Sequence, residues 1–176
     1  MLAYYDAAVT LGIDILRAIA RDLDLQPEHF TDMMTESLSA LRLLRYPPAS
    51  GAHNEIGAGA HTDYGAITLL MTDGEPGLQV RPRGKDWMDV PHVEDAYVVN
   101  IGDCMMRWTN DIYVSTPHRV LPPQRTRRSV AMFVELNPDV VVRALPGTGA
   151  PKYPPIRAAD YLMSRLDATY APKDGT

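Results

Sequence analysis

With 176 residues, 45% hydrophobic and 22% charged, the chain has the make-up of one ordinary globular domain and the length to bury a core. A formal net charge of -5 gives no electrostatic footprint for nucleic acid, and the short basic cluster Arg125-Thr126-Arg127-Arg128 does not make a binding arm. One cysteine, Cys104, excludes an intrachain disulfide framework and fits a reducing cytoplasm, and no apolar run approaches the roughly 18 residues of a membrane span.

In chain order, Leu2 to Leu23 carries apolar side chains at Tyr5, Val9, Ile13, Leu16, Ile19 and Leu23, the stripe of an amphipathic helix. Gly12 interrupts it as a weak point, tolerable at a tight packing contact. Pro27 suits the first turn of a short second helix through Met34. From Ser37 the pattern becomes that of a strand ending at Tyr46, since Pro47 disfavours helix at the residue before it. A Gly- and Ala-rich loop, Ala49 to Gly59, leads into a strand through His61-Thr62-Asp63. Further strands are read at Ala66 to Met71, Gly77 to Arg81, Trp87 to Val90, Ala96 to Ile101 and Val130 to Leu136, the last buried on both sides. The tail is irregular from Pro146 to Pro155 and helical from Arg157 to about Leu166. Many short strands with turn residues between them point to a sandwich or barrel. No basic leader with a small-residue cleavage site precedes the first helix, so a signal peptide is not expected.

The chemistry is concentrated in two stretches. His61 and Asp63 stand two residues apart, so an extended backbone points both to one face, and His118 comes some fifty residues later, enough to reach another strand. Two imidazoles and a carboxylate on one side of a metal leave the opposite side open, the facial triad of non-haem Fe(II) oxygenases. Zinc would accept the same ligands, and a zinc hydrolase also keeps an open position. Nine residues past His118, Arg127 and Ser129 form another i, i+2 pair, suited to grip a carboxylate with a guanidinium fork and a hydroxyl. A hydrolase needs no such clamp beside its third ligand, which favours iron. Cys104 lies in the apolar run Cys104-Met105-Met106 and reads as a buried inert thiol; His29, His53 and His92 read as solvent-facing, with His53 the one placed to close over a substrate.

Five motifs now stand in a telling order: His61-Thr62-Asp63, Asn100-Ile101-Gly102-Asp103, Trp108-Thr109-Asn110, Ser115-Thr116-Pro117-His118-Arg119-Val120 and Arg127-Arg128-Ser129. In this the chain resembles the isopenicillin N synthase-like family of 2-oxoglutarate/Fe(II) oxygenases, from about Tyr5 to about Pro146. The resemblance implies a mainly β fold with flanking helices: a double-stranded β-helix (jelly roll) over residues 37–145, an N-terminal helical buttress over 1–35 and a tail with a helix over 146–176, one domain in all. It implies Fe(II) on His61, Asp63 and His118, with O2 and 2-oxoglutarate as co-substrates. Arg127, Ser129 and the hydroxyl of Tyr46 would bind the far carboxylate of 2-oxoglutarate. Many plant relatives have Asn two positions before that Tyr, where this chain has Leu44. Phe133 falls where relatives line the pocket with an aromatic, Tyr64 and Thr68 are further pocket candidates, and Asn100, Asp103, Trp108 and Asn110 are assigned to turns of the fold.

The expected activity is oxidation, by default hydroxylation, of a small organic substrate in the cytoplasm, with release of succinate and CO2 and no nucleic-acid or membrane partner. Two alternatives remain. One is an oxidase like isopenicillin N synthase, in which the Arg and Ser grip the substrate's own carboxylate without 2-oxoglutarate. The other is a non-catalytic jelly roll serving as a binding or scaffold piece. Relatives carry on the order of a hundred further residues ahead of the region matching Met1, so the chain reads as a fragment or as a naturally short member with a more open pocket. Substrate identity and oligomeric state lie beyond the sequence.

Overall fold

A single helix, α1 (Leu2–Asp22), opens the structure, a computed structural model that describes residues 1–170. Its buried face is Ala8, Gly12, Leu16, Ile19 and Ala20, rotated from the expected stripe toward the small residues. The reason is close approach: a Cβ at Gly12 would stand 2.8 Å from the Val134 side chain. The second helix expected from Pro27 does not form. Only turns and one 3-10 turn at Thr31–Met33 occur there, closed by bonds such as Met33 N–H to Phe30 O. His29 is correspondingly not solvent-facing; its ring meets Phe30 edge-on, and its Nε2 is buried.

Ten strands and two more helices follow among the described residues. They are β1 (Ala40–Tyr46), β2 (Ala58–His61), β3 (Ile67–Thr72), β4 (Leu78–Val80), β5 (Met88–Asp89), β6 (Val98–Ile101), α2 (Asp103–Trp108), β7 (His118–Val120), β8 (Arg127–Val134), β9 (Val141–Val142), β10 (Ile156–Arg157) and α3 (Ala158–Tyr170). Two four-stranded antiparallel sheets form, in the orders β1-β8-β3-β6 and β2-β7-β4-β5. This is the jelly roll expected from the sequence. β9 and β10 add a two-stranded ribbon, the latter just after the stretch read as irregular and taking in Arg157, where the tail helix was expected to begin; α3 starts one residue later and runs past the expected end at Leu166. The strand expected through the His61-Asp63 pair stops at His61, leaving Asp63 in the loop that follows. The apolar run at Cys104 is not strand or turn but α2, whose first N–H groups are taken by the loop after β2: Asp103 N–H donates to Asp63 O at 2.8 Å and Cys104 N–H to Gly65 O at 3.1 Å.

The hydrophobic core does not lie between the two sheets. It lies outside the β1-β8-β3-β6 sheet, where Leu16 and Ile19 of α1, Phe30, and Met105 and Trp108 of α2 pack with Leu69, Met132 and Val134. At about 25 cal/mol per Å² of apolar surface removed from water, this layer carries the stability of the fold. The space between the sheets is a cavity of about 980 Å³.

Candidate active site

β8 supplies one wall of that cavity by simple alternation. Arg127, Ser129, Ala131, Phe133 and Glu135 line it, while Met132 and Val134 face the core. Facing strands add Tyr46 from β1 and Thr68 from β3, the latter opposite both Phe133 and Asn100 in register. Tyr64, Phe133 and Thr68 all line the cavity.

At one end the register pairs His61 of β2 directly with His118 of β7, and the two rings lie 4.3 Å apart between centroids. Asp63 reaches the same place from the loop. One ligand atom from each of the three lies within 4.8 Å of the others, with His118 Nε2 3.7 Å from Asp63 Oδ1. Ligands at about 2.1 Å from a shared first-row ion stand about 3–4 Å apart, so small side-chain adjustments suffice. Each imidazole turns Nδ1 toward a backbone carbonyl, His61 to Gly59 O at 2.7 Å and His118 to Thr116 O at 3.2 Å, which leaves both Nε2 atoms for a ligand. Burial, reinforced by His61, holds His118 below the ordinary imidazole range despite Asp63, so the ring is neutral and competent to bind metal at pH 7.

Asp63 is itself held. Asn100 donates from Nδ2 to its Oδ2 at 2.8 Å, leaving Oδ1 toward the histidines. The loop is fastened further by Asp103, which accepts from Thr62 Oγ1 at 3.1 Å and from the Tyr161 hydroxyl of α3 at 2.7 Å. Reading Asn100 and Asp103 as turn residues therefore misses their contact with the site. Trp108, against Phe30, and Asn110, which holds Thr148, Ala150 and Lys152, do serve the fold alone. A glycine is required at 102, where a Cβ would collide with the Gly65 backbone as the two loops cross.

At the other end stands Arg127, 1% exposed, its guanidinium carbon 5.3 Å from the centre of the Tyr46 ring. Among the described residues its Nε and Nη1 are buried without a hydrogen-bond partner. Burial lowers its pKa while Tyr46 and Asp73 oppose this, and an arginine stays charged regardless. A buried charge with unmet donors is costly unless a ligand completes it. Ser129, 4% exposed, faces the same cavity two residues on. Leu44 sits opposite Ser129 and contributes only apolar surface there.

Residues 37–136, more than half of the chain, match the model of the 2OG-Fe(II) oxygenase superfamily. The chain belongs to that superfamily. It is 42% identical over 180 residues to the 2-oxoglutarate-Fe(II) type oxidoreductase hxnY of Emericella nidulans, covering 96% of this chain and 51% of that protein. A full-length Neurospora crassa protein, solved in complex with alpha-KG and thymine, superposes with a TM-score of 0.89 at 37% identity over 96% of this chain and 55% of its own. JOX2 in complex with 2OG, Fe and JA gives 0.85 at 29% identity, over 92% and 50% of the two chains. The chain thus spans about half the length of the curated relatives it matches. No helix among the described residues is long and apolar enough to cross a membrane.

Proposed function

We propose that the chain carries the catalytic jelly roll of an Fe(II)- and 2-oxoglutarate-dependent oxygenase that oxidises, by default hydroxylates, a small organic molecule and releases succinate and CO2. The observation that carries this is the coincidence of two incomplete sites in one cavity: three ligand side chains converging, with both Nε2 atoms left free by the Nδ1 contacts, and a buried guanidinium whose Nε and Nη1 have no hydrogen-bond partner among the described residues. His61, Asp63 and His118 would hold the Fe(II), whose chemistry with 2-oxoglutarate and O2 is oxidative decarboxylation coupled to C–H oxidation. Arg127 and Ser129, with the Tyr46 hydroxyl, would bind the far carboxylate and so set the co-substrate's distance from the metal. Asn100 keeps one oxygen of Asp63 occupied, so that the carboxylate offers the other. Phe133, Tyr64 and Thr68 wall the space left for substrate. The one cysteine, buried at Cys104 and pushed up to about 12 by burial and then by Glu135 and Asp103, is an inert thiol that accords with a reducing cytoplasm.

Leu44 favours a second reading. With no amide there to hold the inner half of 2-oxoglutarate, an oxidase like isopenicillin N synthase would instead use Arg127 and Ser129 on the substrate's own carboxylate. Consumption of 2-oxoglutarate separates the two. The 176-residue protein with Fe(II) in air should convert 2-oxoglutarate to succinate, and His118→Ala should lose about 1000-fold or more of that rate, on the order of 4 kcal/mol. No iron-dependent consumption, or undiminished succinate from His118→Ala, would refute the assignment.

A further inference from the structure

The helix α3 touches both the cavity and the loop that carries Asp63. It starts from a fixed point, where Ala158 N–H donates to Val140 O at 2.8 Å and Ala159 N–H to Pro138 O at 3.1 Å. Tyr161 and Arg165, one helical turn apart, reach the same target. The Tyr161 hydroxyl donates to Asp103 Oδ2 at 2.7 Å, and Arg165 Nε lies 3.8 Å from that oxygen. Arg165 also stands 3.5 Å from Thr62 Oγ1 and, at its guanidinium carbon, 5.4 Å from the centre of the Tyr64 ring. Asp103, 3% exposed, in turn grips the loop twice: its Oδ2 accepts from Thr62 Oγ1 at 3.1 Å, and its N–H donates to Asp63 O at 2.8 Å. Thr62 stands between His61 and Asp63, so both grips fall on the ligand stretch itself. On the far side of the phenol, the Arg107 guanidinium of α2 lies 5.2 Å from the Tyr161 ring centre and steadies the ring.

We infer that α3 is a latch on the ligand loop: Tyr161, acting through Asp103, positions Thr62 and Asp63, so that seating of the helix and binding of the metal strengthen each other. One buried carboxylate serves both events. With Tyr161 bonded, Asp103 is fixed, and the Asp63 backbone with it. A loop already in place loses less freedom when a metal binds. Conversely, a metal that fixes Asp63 leaves Asp103 a better-placed acceptor for Tyr161, since such coupling is reciprocal in free energy. Burial, and then the bond to Asp103, raise the phenol above its ordinary range, which keeps it a donor. Leu162, Arg165 and Leu166 of the same helix line the cavity. Metal held at the ligand loop therefore also firms one wall of the space left for substrate. Tyr161 is a positioning residue, since it is not among the residues that line the cavity.

This inference rests on the assignment of the metal to His61, Asp63 and His118, and the experiment separates the two. Fe(II) is titrated anaerobically into the 176-residue protein and its variants by calorimetry. Amide hydrogen exchange of α3 is then compared with and without the metal. Tyr161→Phe keeps the ring and removes one hydroxyl; it should weaken Fe(II) binding by about tenfold, as loss of an outer partner of a metal ligand does. Fe(II) should slow exchange in α3 of the unaltered protein by about threefold or more and have no such effect in Tyr161→Phe. Tyr153→Phe is the control. That ring stacks on the same Arg107, but its hydroxyl donates to Asp111, so Fe(II) affinity and protection of α3 should stay as they are. Unchanged Fe(II) affinity in Tyr161→Phe, an equal loss in Tyr153→Phe, or α3 exchange indifferent to Fe(II) in the unaltered protein overturns the latch and leaves the metal assignment standing. No Fe(II) binding by the unaltered protein overturns the metal assignment and the latch with it.

Discussion

The two faces of β8 differ more than any two separate regions of the molecule. Toward α1 the strand shows Met132 and Val134, fully buried among other apolar side chains. Toward the cavity it shows Arg127, Ser129 and Phe133, with Glu135 just past its end, and among the described residues Arg127 has unmet buried donors and the Glu135 carboxyl no hydrogen-bond partner. One face pays for the other: the apolar layer supplies the stability that lets a row of costly polar groups stand ready for ligands. The comparison can be broken by substitutions that should affect stability on one face and binding on the other.

On the core face, Met132→Ala leaves a cavity in a packed layer and should cost about 2–5 kcal/mol of unfolding free energy, read from urea denaturation. On the cavity face, Arg127→Met should do the reverse. Removing a buried cation with unmet donors should leave the metal-free protein as stable or more stable by about 1–3 kcal/mol, while 2-oxoglutarate affinity falls by about 100-fold or more. Loss of stability comparable with that of Met132→Ala would mean that Arg127 belongs to the fold. Asn100→Ala tests the same division on the adjoining strand. Fe(II) affinity should drop by about 10–100-fold with little change in denaturation, because only the orientation of Asp63 is lost.

The smallest expected effect is a pH dependence. Burial, and secondarily the charge of Asp63, pushes Glu135 from an ordinary 4.5 up to about 8. The folded, metal-free protein therefore keeps this proton up to about pH 8, whereas the unfolded chain releases it near 4.5. Below the lower value the group costs nothing; as pH rises between the two, folding is progressively opposed. Glu135→Gln should remove this slope and make the metal-free protein more stable at about pH 8 by about 1–3 kcal/mol, with no difference at about pH 4. Denaturation midpoints at both pH values check it.

Much of this division could be read from the sequence, because it depends on alternation and on rare residue spacings. The strands, the pairing of Arg127 with Ser129 on one face, and the distance from Asp63 to His118 are periodic or local signals. What escaped depends on which elements meet. The core face of α1 is set by Ala8, Gly12 and Ala20, small residues that hydrophobic patterning undervalues and that allow approach to Val134. The short helix α2 is held by loop carbonyls rather than by a helical pattern, so Asp103 to Trp108 reads only as an apolar run. Asn100 stands out as an amide inside Val98–Ile101, yet its bond to Asp63 exists only once β6 lies beside the metal loop.

The most direct test of the central claim is anaerobic titration of the 176-residue protein with Fe(II) and then 2-oxoglutarate, run in parallel on Arg127→Met and His118→Ala. The account predicts one tightly held Fe(II) per chain, lost in His118→Ala, and one 2-oxoglutarate bound in its presence, lost in Arg127→Met while iron binding persists. Iron held equally well without His118, or 2-oxoglutarate affinity indifferent to Arg127, would contradict it.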